Sequence, residues 1–312
     1  MLLDALLGDP RRLPHPVVLI GRLISFYEKL LYKKDEKGAE TKKRGLIFCL
    51  LVLATTGFAV TLLLKAAAFV SPAAEWVLSI YLLYAALAYR SLKDESRPVA
   101  NALAAGDLEA ARRLVGRIVG RDTWALGREG VTRATVETIA ESYIDGVFSV
   151  LFYMTLGWFF GIAPLCAWLF KAASTMDSMV GYDDERYHDF GWAAAKLDDL
   201  LNFLPARLGS VVAICAGALA GFDWRRATRV FRRDRLKHKS PNSAHAESVF
   251  AGLLGIRLAG GAYYGGEWEG RPTLGDDLRE PEPDDIMKAH HILDLCMVIC
   301  AIAVYLLTAR NL

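Results

Sequence analysis

No Gly-Lys dipeptide occurs anywhere in the chain, and G-x-G-x-x-G, H-E-x-x-H and G-x-S-x-G are absent too. A P-loop, a dinucleotide fingerprint, a zinc-protease helix and a nucleophile elbow are thereby excluded, so any ATP would be held in an uncommon way. Cysteine is scarce: Cys49, Cys166, Cys215, Cys296 and Cys300 all lie inside apolar runs. None makes a C-x-x-C or a Cys/His ligand spacing, and such thiols read as small buried hydrophobes, not as a zinc site. The net charge of +2 is too balanced to suggest nucleic acid as a partner. No Gly/Ser- or Pro-rich linker divides the 312 residues, and 1–312 reads as one unit. At the N-terminus, Asp4, Asp9 and three prolines interrupt any apolar h-region, so no signal peptide is expected there.

What the chain has in abundance is apolar length. Hydrophobic residues make up 54% and the mean hydropathy is +0.25. That composition predicts an all-α, polytopic membrane protein with helical cytoplasmic segments and a Gly/Pro-rich ordered loop after residue 240. Apolar segments fall at about 46–70, 74–90, 147–170, 204–221 and 292–309. Two of them contain G-x-x-x-G, at Gly157/Gly161 and Gly217/Gly221, a weak signal for close helix packing.

Lys33, Lys34, Lys37, Lys42, Lys43 and Arg44 precede the first segment, Arg90, Lys93 and Arg97 follow the second, and WRRATRVFRRDRLKHK follows residue 221. The positive-inside rule places all three in the cytoplasm. The acidic stretch 171–203 then falls outside if 147–170 and 204–221 each cross once, and inside if both are re-entrant or paired short helices. Its low Lys/Arg count favours the first arrangement; a cytoplasmic function favours the second.

That stretch, KAASTMDSMVGYDDERYHDFGWAAAKLDDLLNFLPARL, packs Asp177, Asp183, Asp184, Glu185, Asp189, Asp198 and Asp199 between apolar segments. Carboxylates beside lipid cost a few kcal/mol each unless paired or hydrated, so the stretch reads as a site. Lys196, Asp199 and Asn202 fall at i, i+3, i+6, and Asp198 with Asn202 at i, i+4. Oxygen-only ligands of this kind suit Mg²⁺. Ser174, Thr175 and Ser178 cluster with Asp177 where capping explains one or two of them.

Arg133, Glu137, Glu141 and Asp145 recur at i, i+4 and line one helical face; a solvated stripe with one Arg–Glu pair is the plainer reading, but the stripe leads into an apolar segment at Val147, which favours a metal or substrate role. Asp107 reads as the cap of a helix within 100–120. Ser240, Asn242, Ser243 and His245 sit at a Pro turn that can hold a phosphate or carboxylate, or simply cap a helix. Asp9, Arg11, Arg12 and His15 lie in a Pro-rich turn that can grip an anion or meet lipid head groups.

Four blocks together resemble one family: LGDPRRLPHPVVLIGRLI; RATVETIAES with YIDG; KAASTMDSMVGY with FGWAAAKLDDLLNFLPARL; and SPNSAHAE with GGAYYGG and RPTLGD. In this order they resemble the cobinamide synthases, multi-pass membrane proteins of cobalamin biosynthesis. The resemblance runs nearly end to end. It implies an ATP- and Mg²⁺-dependent ligase joining (adenosyl)cobyric acid to aminopropanol or its O-phosphate, in the cell membrane, alongside other cobalamin-assembly enzymes.

Carried onto this chain, the blocks point to Glu137, Glu141, Asp177, Lys196 and Asp199 as catalytic. Asp177, Asp198 and Asp199 are the expected metal ligands. Asp9, Arg11, His15, Arg133, Ser174, Thr175, Ser178, Tyr182, Asn202, Arg207, Ser240, Asn242 and Ser243 are the expected substrate contacts. The chain departs from the family pattern at Ser142 and Ser174, where the family has Asn, and at Ala244 and Ala246, where it has Gly and Pro. Two rival readings are a non-catalytic membrane sensor of a related family and a transporter of an anionic solute with broken helices near 157–164 and 204–209.

Overall fold

The computed structural model describes residues 1–8, 15–34 and 36–309. Its helices run α1 (Leu2–Leu7), α2 (Pro16–Leu31), α3 (Ala39–Val70), α4 (Pro72–Ala86), α5 (Tyr89–Ala104) and α6 (Leu108–Val115). Then come α7 (Arg128–Ser142), a π-helical turn (Tyr143–Phe148), α8 (Ser149–Trp158), α9 (Ala163–Val180) and α10 (Trp192–Leu219). The chain ends with α11 (Trp224–Asp234), α12 (Ser243–Leu254) and α13 (Asp284–Thr308). Four short strands, β1 (Leu258–Ala259), β2 (Ala262–Tyr264), β3 (Glu267–Glu269) and β4 (Thr273–Leu274), form two antiparallel pairs, β1–β4 and β2–β3. Five helical stretches are long and apolar enough to cross a bilayer: 39–70, 72–104, 128–158, 192–219 and 284–308. The protein is a polytopic α-helical membrane protein.

The chain divides into two compact units, each assembled from separate stretches. Among the described residues, the first comprises Met1–Ala88 and Ser149–Asn202, and the second comprises Tyr89–Phe148 and 203–309.

In the first unit α9 packs against α2, α3, α4 and α8. It buries Ala167, Trp168, Phe170, Ala172, Ala173, Met176 and Val180. Trp168 donates its indole N–H to the carbonyl of Leu82 in α4 at 3.0 Å. At about 1.5 Å per residue, the 32 residues of α3 outrun a hydrocarbon core of about 30 Å, so its polar first turns, AETKKR, project beyond it. Leu50, Phe58, Leu62 and Leu63 stay exposed on α3, as lipid-facing positions do.

The apolar run 147–170 does not cross once. It breaks at 159–162, where Gly161 takes φ +69° and Gly157 lets Ala163 and Cys166 approach closer than a Cβ would allow. Its G-x-x-x-G is therefore a turn between α8 and α9. The run 204–221, by contrast, continues a 28-residue helix in place of the expected re-entrant break. Pro205 lies inside it and cannot donate to the carbonyl of Leu201; the Tyr153 hydroxyl donates to that oxygen at 2.9 Å instead.

In the second unit α12 is buried from Ala244 to Leu254, packed on α11, α7 and α13. Asp107 caps α6 as its position suggests, accepting from the Ala110 amide at 2.9 Å. Aromatics pack the Gly-rich loop: the Tyr263 ring lies tilted against Trp124 at 5.3 Å and edge-on to Trp268 at 5.1 Å.

Candidate active site

The acidic loop of the first unit is held by salt bridges and turns. Glu185 meets Lys37 at 3.0 Å, and Asp189 accepts from the Gly38 amide at 2.6 Å and lies 3.7 Å from Lys42. Arg186 donates to Glu28 at 2.6 Å, Tyr187 donates to the same carboxylate at 2.8 Å, and His188 meets Asp183 at 2.7 Å. Asp184 accepts from the amides of Arg186 and Tyr187, closing a tight turn. The Lys37 ammonium holds the Glu185 carboxyl below its ordinary range. Through these contacts the loop lies at the same end of the unit as the basic segment 33–44.

α9 and α10 carry most of the first unit's expected site residues. The Ser149 hydroxyl donates to Asn202 Oδ1 at 2.6 Å, and Asn202, 1% exposed, donates to Asp198 at 3.0 Å. Lys196 reaches Asp199 at 3.4 Å. Thr175 and Ser178 turn their hydroxyls to the carbonyls of Lys171 and Ser174. Ser174 and Asp177 are half-buried and Tyr182 is exposed. A Cβ at Gly181 would collide with the Asp177 carboxylate. His15 caps α2, accepting from Val17 at 3.2 Å. Asp9 and Arg11 lie outside the described residues.

The second unit gathers a different set. Glu137, 4% exposed, is fixed on both oxygens: the Ala259 amide donates to one at 2.6 Å and Arg121 meets the other at 2.6 Å. Ala259 is the one non-glycine residue with positive φ among the described residues, at +58°, a cost the fold accepts to aim that N–H. Glu141, one turn on, is exposed. From α12, Glu247 faces the same two carboxylates and is 7% exposed. Burial, then Glu141 and Glu137, push its carboxyl well above the usual range against the pull of Arg121 and Arg271. Arg271 lies over the Tyr264 ring at 4.8 Å and reaches Glu269 at 3.4 Å.

The π-helical turn rotates Asp145 out of line with Glu137 and Glu141, and Glu137 pairs with Arg121 in place of Arg133. Arg133 is half-buried with its Nε unpartnered.

Beside this cluster, Arg207 donates to Asn242 Oδ1 at 3.3 Å. Ser240 accepts from the Asn242 amide at 3.3 Å, and Ser243 begins α12. His245 is fully buried with both ring nitrogens unpartnered; burial, then Arg207 and Arg235, lower it to about 4. No group of three or more His, Cys, Asp or Glu side chains able to hold a metal ion occurs among the described residues.

Arg121, Glu247 and Arg271 escaped the sequence reading. Glu247 was visible only as the start of a helix, and neither arginine falls in a helical register with Glu137.

The fold and the buried acid–guanidinium cluster define a membrane-embedded protein with a polar site. The family model described as CobD/Cbib protein matches residues 1–293. The chain is 44% identical to the Cobalamin biosynthesis protein CobD of Pelobacter propionicus over 279 residues, 89% of this chain and 84% of that one. It is 46% identical to the protein of the same name from Geobacter metallireducens over 281 residues, covering 89% and 85%. Against that from Clostridium perfringens it is 40% identical over 294 residues, 94% and 91%. No solved structure matches. The chain belongs to the CobD/Cbib family.

Proposed function

We propose that the chain acts in cobalamin biosynthesis as a carbon–nitrogen ligase of the cell membrane. It joins the free propionate of (adenosyl)cobyric acid to aminopropanol or its O-phosphate, with ATP as co-substrate. The observation that carries this reading is the cluster of Glu137, Glu141, Glu247, Arg121 and Arg271, together with the family to which the chain belongs. Amide formation needs a carboxylate activated by phosphoryl transfer, an ammonium deprotonated, and the charge of the departing phosphate neutralised. Carboxylates and guanidiniums in one largely buried cluster suit the last two tasks.

Mg²⁺ would neutralise the nucleotide's phosphates and assist their transfer. Magnesium bound with a nucleotide takes one or two protein carboxylates and completes its shell with phosphate oxygens and water. Asp198 and Asp199 on α10, with Asn202 and Lys196 beside them, would hold it. Lys196, paired to Asp199, keeps a cation beside them for a phosphate. Because ATP is cytoplasmic, the face carrying the acidic loop and the 33–44 segment is the cytoplasmic one.

The test is direct. The full chain in detergent, given cobyric acid, MgATP and either amine, forms the corresponding cobinamide with stoichiometric ADP. Absence of amide with both amines refutes the reading.

A further inference from the structure

One carboxylate in the second unit has surroundings that folding alone does not explain. Glu247 lies in the first turns of the buried helix α12, yet it makes no hydrogen bond and no ion pair among the described residues. Its neighbour Glu137 is saturated by Arg121 and the Ala259 amide. Glu141, also without an ion pair, is the more exposed of the two.

Charge around the pocket does not balance. Glu137, Glu141 and Glu247 face Arg121 and Arg271, so with all three carboxyls ionised one negative charge is left over. A buried, unpaired carboxylate is costly, and such groups are kept where a ligand completes them. The surplus matches a monocation, and the side chains do not assemble a metal-binding group of three.

We propose that Glu247 and Glu141 bind the primary ammonium group of the amine co-substrate, with Glu137 held back by Arg121 as a fixed wall. The proposal rests on the amide-forming reading, in which an alkylammonium enters and must lose a proton before it attacks. That proton passes from nitrogen to a carboxylate oxygen of Glu247, leaving a neutral amine and a carboxylic acid, with no other bond changed. The raised affinity of Glu247 for a proton narrows the gap to an alkylammonium and favours the transfer.

Equilibrium binding of aminopropanol to the detergent-solubilised full chain, without ATP or corrinoid, tests the site. Wild type binds the amine, and propane-1,2-diol, of similar shape without the charge, does not compete. Glu247→Gln weakens amine binding at least tenfold and leaves MgATP binding within twofold. Glu141→Gln serves as a second variant with the same expected loss if Glu247→Gln does not fold.

Unchanged amine affinity in the folded variants, competition by the diol, or displacement of the amine by Mg²⁺ alone overturns the proposal. Turnover is read separately. Wild type that binds amine but forms no amide refutes the reaction and keeps the site. Wild type that forms amide while the variants bind amine normally keeps the reaction and refutes the site.

Discussion

Carboxylates occur in two settings in this molecule. In the loop 183–189 of the first unit they are mostly exposed, and Glu185, Asp189, Asp183 and Asp184 each have a lysine, histidine or backbone partner. In the second unit three glutamates crowd one pocket, where Glu137 alone has a close cationic partner and Glu247 is buried without one. The loop has more charge; the pocket has more unresolved charge. Exposed pairs in water gain little and fix position, whereas a dry, under-compensated carboxylate stores free energy that a ligand can recover.

The contrast breaks most visibly at Arg121. Arg121→Ala leaves Glu137 buried without its cation, and we expect a loss of about 3–5 kcal/mol, read as a large drop in Tm in detergent. Any loop variant should fall far short of that.

Histidine 245 sharpens the same point through pH. Its folded value is lowered to about 4, from an ordinary 6.5, so the unfolded chain binds the extra proton between those values. Stability contributed by the neutral ring is complete above about 6.5 and is lost as pH falls toward 4, on the order of 3 kcal/mol in all. Thermal melts of wild type and His245→Gln across that window should converge at the acid end.

Glu247 has the opposite sign. A carboxyl raised in the folded state costs stability once pH climbs past the unfolded carboxyl's range. Glu247→Gln should therefore melt higher than wild type at neutral pH, by roughly 1–2 kcal/mol, while losing function. A lower Tm would mean that Glu247 is a structural residue.

Tyr153→Phe probes the proline in α10. It removes the donor to the Leu201 carbonyl and should cost about 1 kcal/mol, with turnover retained.

The helices and their apolar segments were legible in the sequence because a bilayer demands long apolar runs. Two details were not. Pro205 reads as a break, yet the helix continues, with the Tyr153 hydroxyl, far away in sequence, donating to the carbonyl that the proline leaves free. The run 147–170 reads as one segment, and the turn at Gly161 is set by a left-handed backbone that composition does not announce. For the site, Glu137 and Glu141 stood out by their i, i+4 spacing. Glu247, Arg121 and Arg271 did not, since their meeting depends on α12 and the β-hairpin loop closing over α7. Charge density drew attention to 183–189, where the salt bridges show an anchor against the 33–44 segment.

The central claim is that the amine chemistry resides with the under-compensated carboxylates and not with the paired ones of the 183–189 loop. The most direct test measures amide formation by Glu141→Gln beside Asp183→Asn/Glu185→Gln under identical conditions. We predict that Glu141→Gln falls at least 100-fold, about 3 kcal/mol of transition-state stabilisation, while the loop variant stays within threefold of wild type. Wild-type turnover in Glu141→Gln, or collapse of turnover in a folded loop variant, would contradict the account.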